Sequence, residues 1–189
     1  LEKFMSLRPV TSSKKAMPAI EGAGVHLHRA FGFHDPEASD PFLLFDDFRN
    51  DKPQSYSRGF PWHPHRGIET ITYVLNGSVE HSDSLGNTGC LKAGDVQWMT
   101  AGSGIMHQEM PSGNAKGQMH GFQLWANLPG SLKMTSPRYQ DVSAKEIPEI
   151  IDDDGTRVRV ITGSFWGQTG PVDGIAADPL YLDITVPAG

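Results

Sequence analysis

The sequence predicts an all-β fold, an antiparallel sandwich or barrel. Two observations carry this. Runs of strand-forming residues recur along the 189-residue chain, punctuated by 21 glycines and 14 prolines that supply turns. No amphipathic stretch of helical length precedes Asp141.

Taken in order, residues 1–4 read as a remnant of expression ahead of a natural start at Met5. Residues 25–31 alternate with period two, and residues 41–48 form a compact apolar run expected to be a buried strand. A polar, turn-forming loop follows over 51–58. In residues 69–80, Thr70, Thr72 and Val74 oppose Ile71, Tyr73 and Leu75, and Asn76-Gly77 signals a hairpin. Gly86-Asn87 and Gly94-Asp95 mark further turns, and 96–100 and 121–127 read as further strands. A helical pattern over 141–151 is interrupted by Pro148. Residues 128–137 are the best linker candidate, and two strand-like runs, 157–163 and 179–186, close the chain.

Two or three strands do not make an independent core. Residues 141–189 therefore read as the opening of a second unit, and 5–140 as the first. Unpaired strand edges there are expected to recruit another chain, as a homodimer or domain swap through 141–189. A stable monomer in light scattering would contradict that expectation.

A net charge of −6 with no basic run argues against direct contact with nucleic acid, while leaving contact through a protein partner open. The single cysteine, Cys90, excludes an intramolecular disulfide and suits a reducing compartment. It is expected to be a small half-buried residue. No apolar stretch reaches the roughly twenty residues of a membrane helix, and residues 1–5 lack a secretory core. A soluble, cytoplasmic protein without membrane partners is expected, or a nuclear one if the source is eukaryotic.

The chemistry concentrates in two segments. His63 and His65 lie two apart, so in a strand both point to one face. His107 and Glu109 repeat that spacing after Gly94-Asp95 and Gly102-Ser103-Gly104. Three imidazoles and a carboxylate suit a six-coordinate ion with two positions left for substrate and dioxygen. Fe(II) meets that description, with Mn, Ni, Cu and Zn as competitors. Glu69 shares the parity of His63 and His65, so parity alone leaves Glu69 and Glu109 both open as the carboxylate.

Other candidates are weaker. His26 and His28 have no carboxylate partner and read as solvent-facing, His81 as exposed, and His120 as a plain strand residue before an apolar run. Asp152-Asp153-Asp154-Gly155 reads as a solvated turn, because a calcium loop needs alternating ligands. Ser103 lacks the frame of a hydrolase nucleophile. Trp98, Met99, Met106, Phe122 and Trp125 suit either an apolar pocket around the metal or ordinary core.

The segments His63-Pro64-His65-Arg66-Gly67-Ile68-Glu69-Thr70, 94–111 (Gly-Asp-Val-Gln-Trp-Met-Thr-Ala-Gly-Ser-Gly-Ile-Met-His-Gln-Glu-Met-Pro), 122–129 and 134–140 resemble the signature of the pirin family. The resemblance implies a cupin-type antiparallel β-barrel or jelly roll, with part of a second cupin domain at the C-terminus. It implies iron held by His63, His65, His107 and Glu109, with Glu69 left to orient a ligand. It also implies a quercetin (flavonol) 2,3-dioxygenase, in which Glu109 binds metal and takes a proton from the substrate hydroxyl. The alternative it carries is an iron-dependent regulatory module that binds a transcription factor or metabolic enzyme and has no turnover of its own.

Overall fold

A computed structural model describes residues 9–34 and 36–188. The expectations for residues 1–4 and Met5 lie outside the described residues. Sixteen strands run through the rest: β1 (Met17–Glu21), β2 (Val25–Phe31), β3 (Phe42–Asp47), β4 (Phe60–His65), β5 (Ile68–Asn76), β6 (Ser78–Asp83), β7 (Thr88–Lys92) and β8 (Val96–Thr100) come first. They are followed by β9 (Ile105–Ser112), β10 (His120–Asn127), β11 (Arg138–Val142), β12 (Glu149–Ile151), β13 (Arg157–Thr162), β14 (Ser164–Phe165), β15 (Gln168–Thr169) and β16 (Tyr181–Thr185).

Two sheets form the body. One has seven strands in the order β1-β2-β3-β10-β5-β8-β11, and the other has four in the order β4-β9-β6-β7. All strand pairs among them are antiparallel. Hydrogen bonds between facing side chains, such as Thr72 to Glu109 and Gln97 to His81, join the two sheets across their interior. This is the all-β, cupin-type antiparallel barrel that the sequence predicts.

Period two decides what each face carries. On β5, Ile71 and Tyr73 pack with Trp98, Val96, Leu124 and Ala126 on the outer face of the large sheet. That face is covered by Val142, Ile147, Ile161 and Val172 from the C-terminal segment. Thr70, Thr72 and Val74 point the other way, into the barrel. Val74 joins Val25, Leu27, Phe48, Tyr56, Val79, Leu91 and Met119 in a second cluster.

The C-terminal segment adds a three-stranded sheet, β12-β13-β16, and a two-stranded one, β14-β15. A polar clasp fixes it to the barrel. The Tyr73 hydroxyl donates to Asp183 Oδ2 at 2.6 Å and accepts from Arg159 Nη1 at 2.6 Å. Arg159 also donates to the carbonyls of Gly94 and Ala144. Burial, and then Asp183, push the Tyr73 hydroxyl well above the usual tyrosine range, so it stays a donor.

Several local expectations change. Asn76-Gly77 does not close a hairpin, because β5 and β6 lie in different sheets. It is the corner at which the chain crosses from one sheet to the other. Gly77 sits at φ 81°, and a side chain there would press on the Ser112 carbonyl and Met119 Sδ. The helical pattern at 141–151 is instead the end of β11, a turn and β12. Asp141 and Val142 pair with Gln97 and Val96, so tertiary pairing overrides the local preference. The connection 128–137 lies within the large sheet, between β10 and β11, and Lys133 ties it down by donating to Gly67 O and Asn127 Oδ1. Cys90 is exposed on β7 rather than half-buried, since β7 is the outer strand of its sheet. The turn at 152–155 is as expected. No helix among the described residues is long and apolar enough to cross a membrane.

Candidate metal centre

The centre is built where β4 and β9 pair. Their register sets His63 opposite His107, and Phe60 opposite Glu109. Residues directly opposite share a face, so the two-residue spacings turn all four side chains into the barrel. β4 is the outer strand of its sheet, which is why it tolerates Pro61 and Pro64.

The coordinating atoms of His63, His65 and His107 lie within 4.8 Å of one another. The rings meet edge to face or tilted, with centroids 4.4–4.9 Å apart. His63 Nδ1 is 2.8 Å from Pro61 O and donates to it, which leaves Nε2 with its lone pair. That Nε2 lies 3.0 Å from His65 Nε2. Two nitrogens each about 2.1 Å from one ion, in adjacent positions, would be about 3 Å apart.

His107 is 1% exposed, and neither of its ring nitrogens has a hydrogen-bond partner in the protein. Buried polar atoms are seldom left so, and an ion is one explanation for the exception. Burial lowers the affinity of His107 for a proton, partly offset by Glu109. Burial, with His107 and His63 nearby, pushes His65 down to about 3. Neutral imidazoles are the form that binds metal. The donor set therefore fits a divalent ion, and the three-histidine cluster can hold one.

Glu109 is 5% exposed, with Oε2 3.9 Å from His107 Nε2. That separation is too long for a hydrogen bond and leaves the carboxylate beside the cluster. Its oxygen Oε1 accepts from Thr72 Oγ1 at 2.9 Å, and Gln123 Nε2 lies 3.3 and 3.4 Å from Oε1 and Oε2. Neither Thr72 nor Gln123 stands out from the sequence spacing. No signal in the sequence singles them out, because β5 also carries Glu69, Thr70 and Asn76, and β10 also carries His120 and Asn127.

Glu69 is placed elsewhere. Gly67, at φ 68°, breaks the parity between β4 and β5, which belong to different sheets. Glu69 consequently shares the outer face of β5 with Ile71, and its Oε1 accepts from Thr100 Oγ1 at 2.7 Å. It orients none of the histidines. His81 is buried rather than exposed, because it faces inward opposite Glu109; Gln97 Nε2 donates to its Nε2 at 2.9 Å. His26 and His28 are exposed, as expected, and His120 faces Asp47 away from the cluster.

A cavity of about 560 Å³ opens onto His63, His65 and Glu109. Trp125 lines it, 5.0 Å from His65 and 5.8 Å from Phe33, measured between ring centroids. Arg29 and Asp46 form a two-pronged ion pair in its wall, at 2.8 and 2.7 Å. Of the five apolar candidates only Trp125 lines this cavity. Trp98, Met99 and Phe122 are packing residues, and Met106 points outward on β9.

The model of the pirin family matches residues 24–126. A pirin-like protein of Caulobacter vibrioides is 47% identical over 186 residues, covering 98% of this chain and 67% of its own. The chain belongs to the pirin family. Human pirin is 43% identical over 185 residues, 97% of this chain and 61% of its own. The chain thus spans about two thirds or less of the length of these pirins. Among solved structures, a quercetin 2,3-dioxygenase from Acinetobacter baumannii superposes with a TM-score of 0.75 and 37% identity, covering 84% of this chain and 58% of that one. A bacterial pirin from Escherichia coli, in complex with nickel(II), superposes with a TM-score of 0.57 and 25% identity, covering 77% and 66%.

Proposed function

We propose that His63, His65, His107 and Glu109 hold one divalent ion, iron(II), and that the protein is a flavonol 2,3-dioxygenase acting on quercetin or a similar aromatic. The carrying observation is the convergence of three histidines beside a buried carboxylate, with His63, His65 and Glu109 lining a cavity walled by Trp125. The likeness to the Acinetobacter baumannii quercetin 2,3-dioxygenase supports it.

A bound ion would supply Lewis-acid charge to a substrate oxygen and a place for dioxygen. The protein's own groups do the rest. Glu109, ringed by donors and close to the cluster, is the base for the substrate hydroxyl. His63 is aimed by Pro61 O, and an aimed imidazole loses less freedom on binding an ion. The cavity is of the size that encloses small ligands, and Trp125 offers a flat apolar wall to a flat ring. The same reading assigns the centre to residues 5–140 and gives 141–189 the role of covering the outer face of the large sheet.

The test measures metal content, and quercetin loss with dioxygen uptake, in wild type and Glu109→Ala. Iron near one per chain, with turnover lost in the variant, is the expected result. Stoichiometric metal without turnover of any flavonol would overturn the enzyme and favour a regulatory module instead.

A further inference from the structure

A row of polar residues crosses the inner face of the large sheet in register: Arg29, Asp46, Gln123, Thr72, Gln97 and Asp141. The interior of a barrel this size is ordinarily filled by apolar side chains, so an unbroken polar row asks for a reason. Arg29 and Asp46 satisfy each other, and Gln97 serves His81 and Asp141. The middle pair, Thr72 and Gln123, is turned onto Glu109.

The Thr72 hydroxyl has one proton, and its shortest acceptor is Glu109 Oε1 at 2.9 Å. Having given that proton away, Thr72 must accept from Gln123 Nε2, 3.2 Å distant. The remaining proton of that amide faces the Glu109 carboxylate, 3.3 Å from Oε1 and 3.4 Å from Oε2. Acceptors surround the amide nitrogen, which fixes the orientation of the Gln123 side chain. Glu109 is thereby gripped from the large sheet, while its backbone belongs to the small one. The grip falls mainly on Oε1, and Oε2 is the oxygen left facing His107.

We propose that Thr72 and Gln123 are the positioning residues of the centre. They choose Oε2 of Glu109 as the oxygen presented to the metal and hold the carboxylate against rotation about its last bond. This rests on Glu109 being a ligand, as proposed above. Neither residue touches the ion. They act through Glu109, so the consequence is geometric, and outer partners of this kind typically alter metal affinity by roughly 10–100-fold.

The experiment titrates cobalt(II) into metal-free protein and follows both the affinity and the visible absorption of the bound ion, in wild type, Thr72→Val, Thr72→Ser, Gln123→Leu and Glu109→Ala. Valine keeps the shape and strand preference of threonine, so Thr72→Val preserves β5. The expected result is an affinity about tenfold or more weaker, and a shifted cobalt spectrum, in Thr72→Val and Gln123→Leu. Thr72→Ser, which restores the hydroxyl, should recover both. An unchanged spectrum and affinity in Thr72→Val, alongside weakened binding in Glu109→Ala, would overturn the positioning role alone. Wild-type binding in Glu109→Ala would instead overturn the ligand assignment beneath it.

Discussion

His107→Leu should abolish stoichiometric metal binding and, in metal-free protein, raise stability rather than lower it. The two halves come from the same observation. His107 is 1% exposed and neither ring nitrogen has a partner in the protein. A buried polar group without a partner costs about 1–3 kcal/mol, and leucine removes that cost while filling most of the space. The metal-free variant should therefore unfold at a denaturant midpoint equal to or above wild type. With metal present the order reverses. An ion that binds only the folded protein stabilises it by about 2.7 kcal/mol at a hundred times its dissociation constant. Wild type gains that and the variant does not. Denaturant unfolding of both proteins, with and without nickel(II) or iron(II), reads the crossing directly. Equal stabilisation of both by metal would remove His107 from the centre. A large loss of stability in the metal-free variant would mean that His107 is held by packing and not kept for a ligand.

That cost explains what was and was not legible in the sequence. His63, His65, His107 and Glu109 stand out because a side-chain period of two survives within any single strand, whatever its partners. Glu69 shows where this ends: the left-handed turn at Gly67 resets the parity, and only the three-dimensional path of the chain reveals it. The corner at Asn76-Gly77 is the same lesson in another form. A positive φ at a glycine dictates a sharp change of direction, yet not which sheet receives the next strand. His81 and Cys90 exchange their expected environments for a similar reason. Inward and outward positions on β6 and β7 depend on the sheet opposite, which local composition does not encode. Thr72 and Gln123 were invisible because threonine is a good strand former anywhere and a single glutamine has many surface uses. Their role exists only once the two sheets face each other.

Trp98→Ala carries the largest expected loss of stability, about 3–5 kcal/mol. Trp98 is 0% exposed and sits on β8 opposite Ile71, where the outer face of the large sheet meets Val142, Ile147, Ile161 and Val172. Removing the indole deletes the largest fully buried side chain of the described residues. The backbone around it is paired on both sides, by β5 and β11, and cannot collapse far into the space. Trp98 Nε1 has no hydrogen-bond partner in the protein, so the loss is one of packing and not of a polar contact. Trp98→Phe should accordingly recover most of it. The centre lies on the other face of the sheet, so metal affinity should fall far less than stability in either variant. Thermal unfolding with parallel cobalt titrations separates the two quantities. If Trp98→Ala weakened metal binding tenfold while its folded core remained intact, the outer face would be coupled to Glu109 through β5. In that event Thr72, the residue next to Ile71 on β5, would be carrying more than its own hydrogen bond.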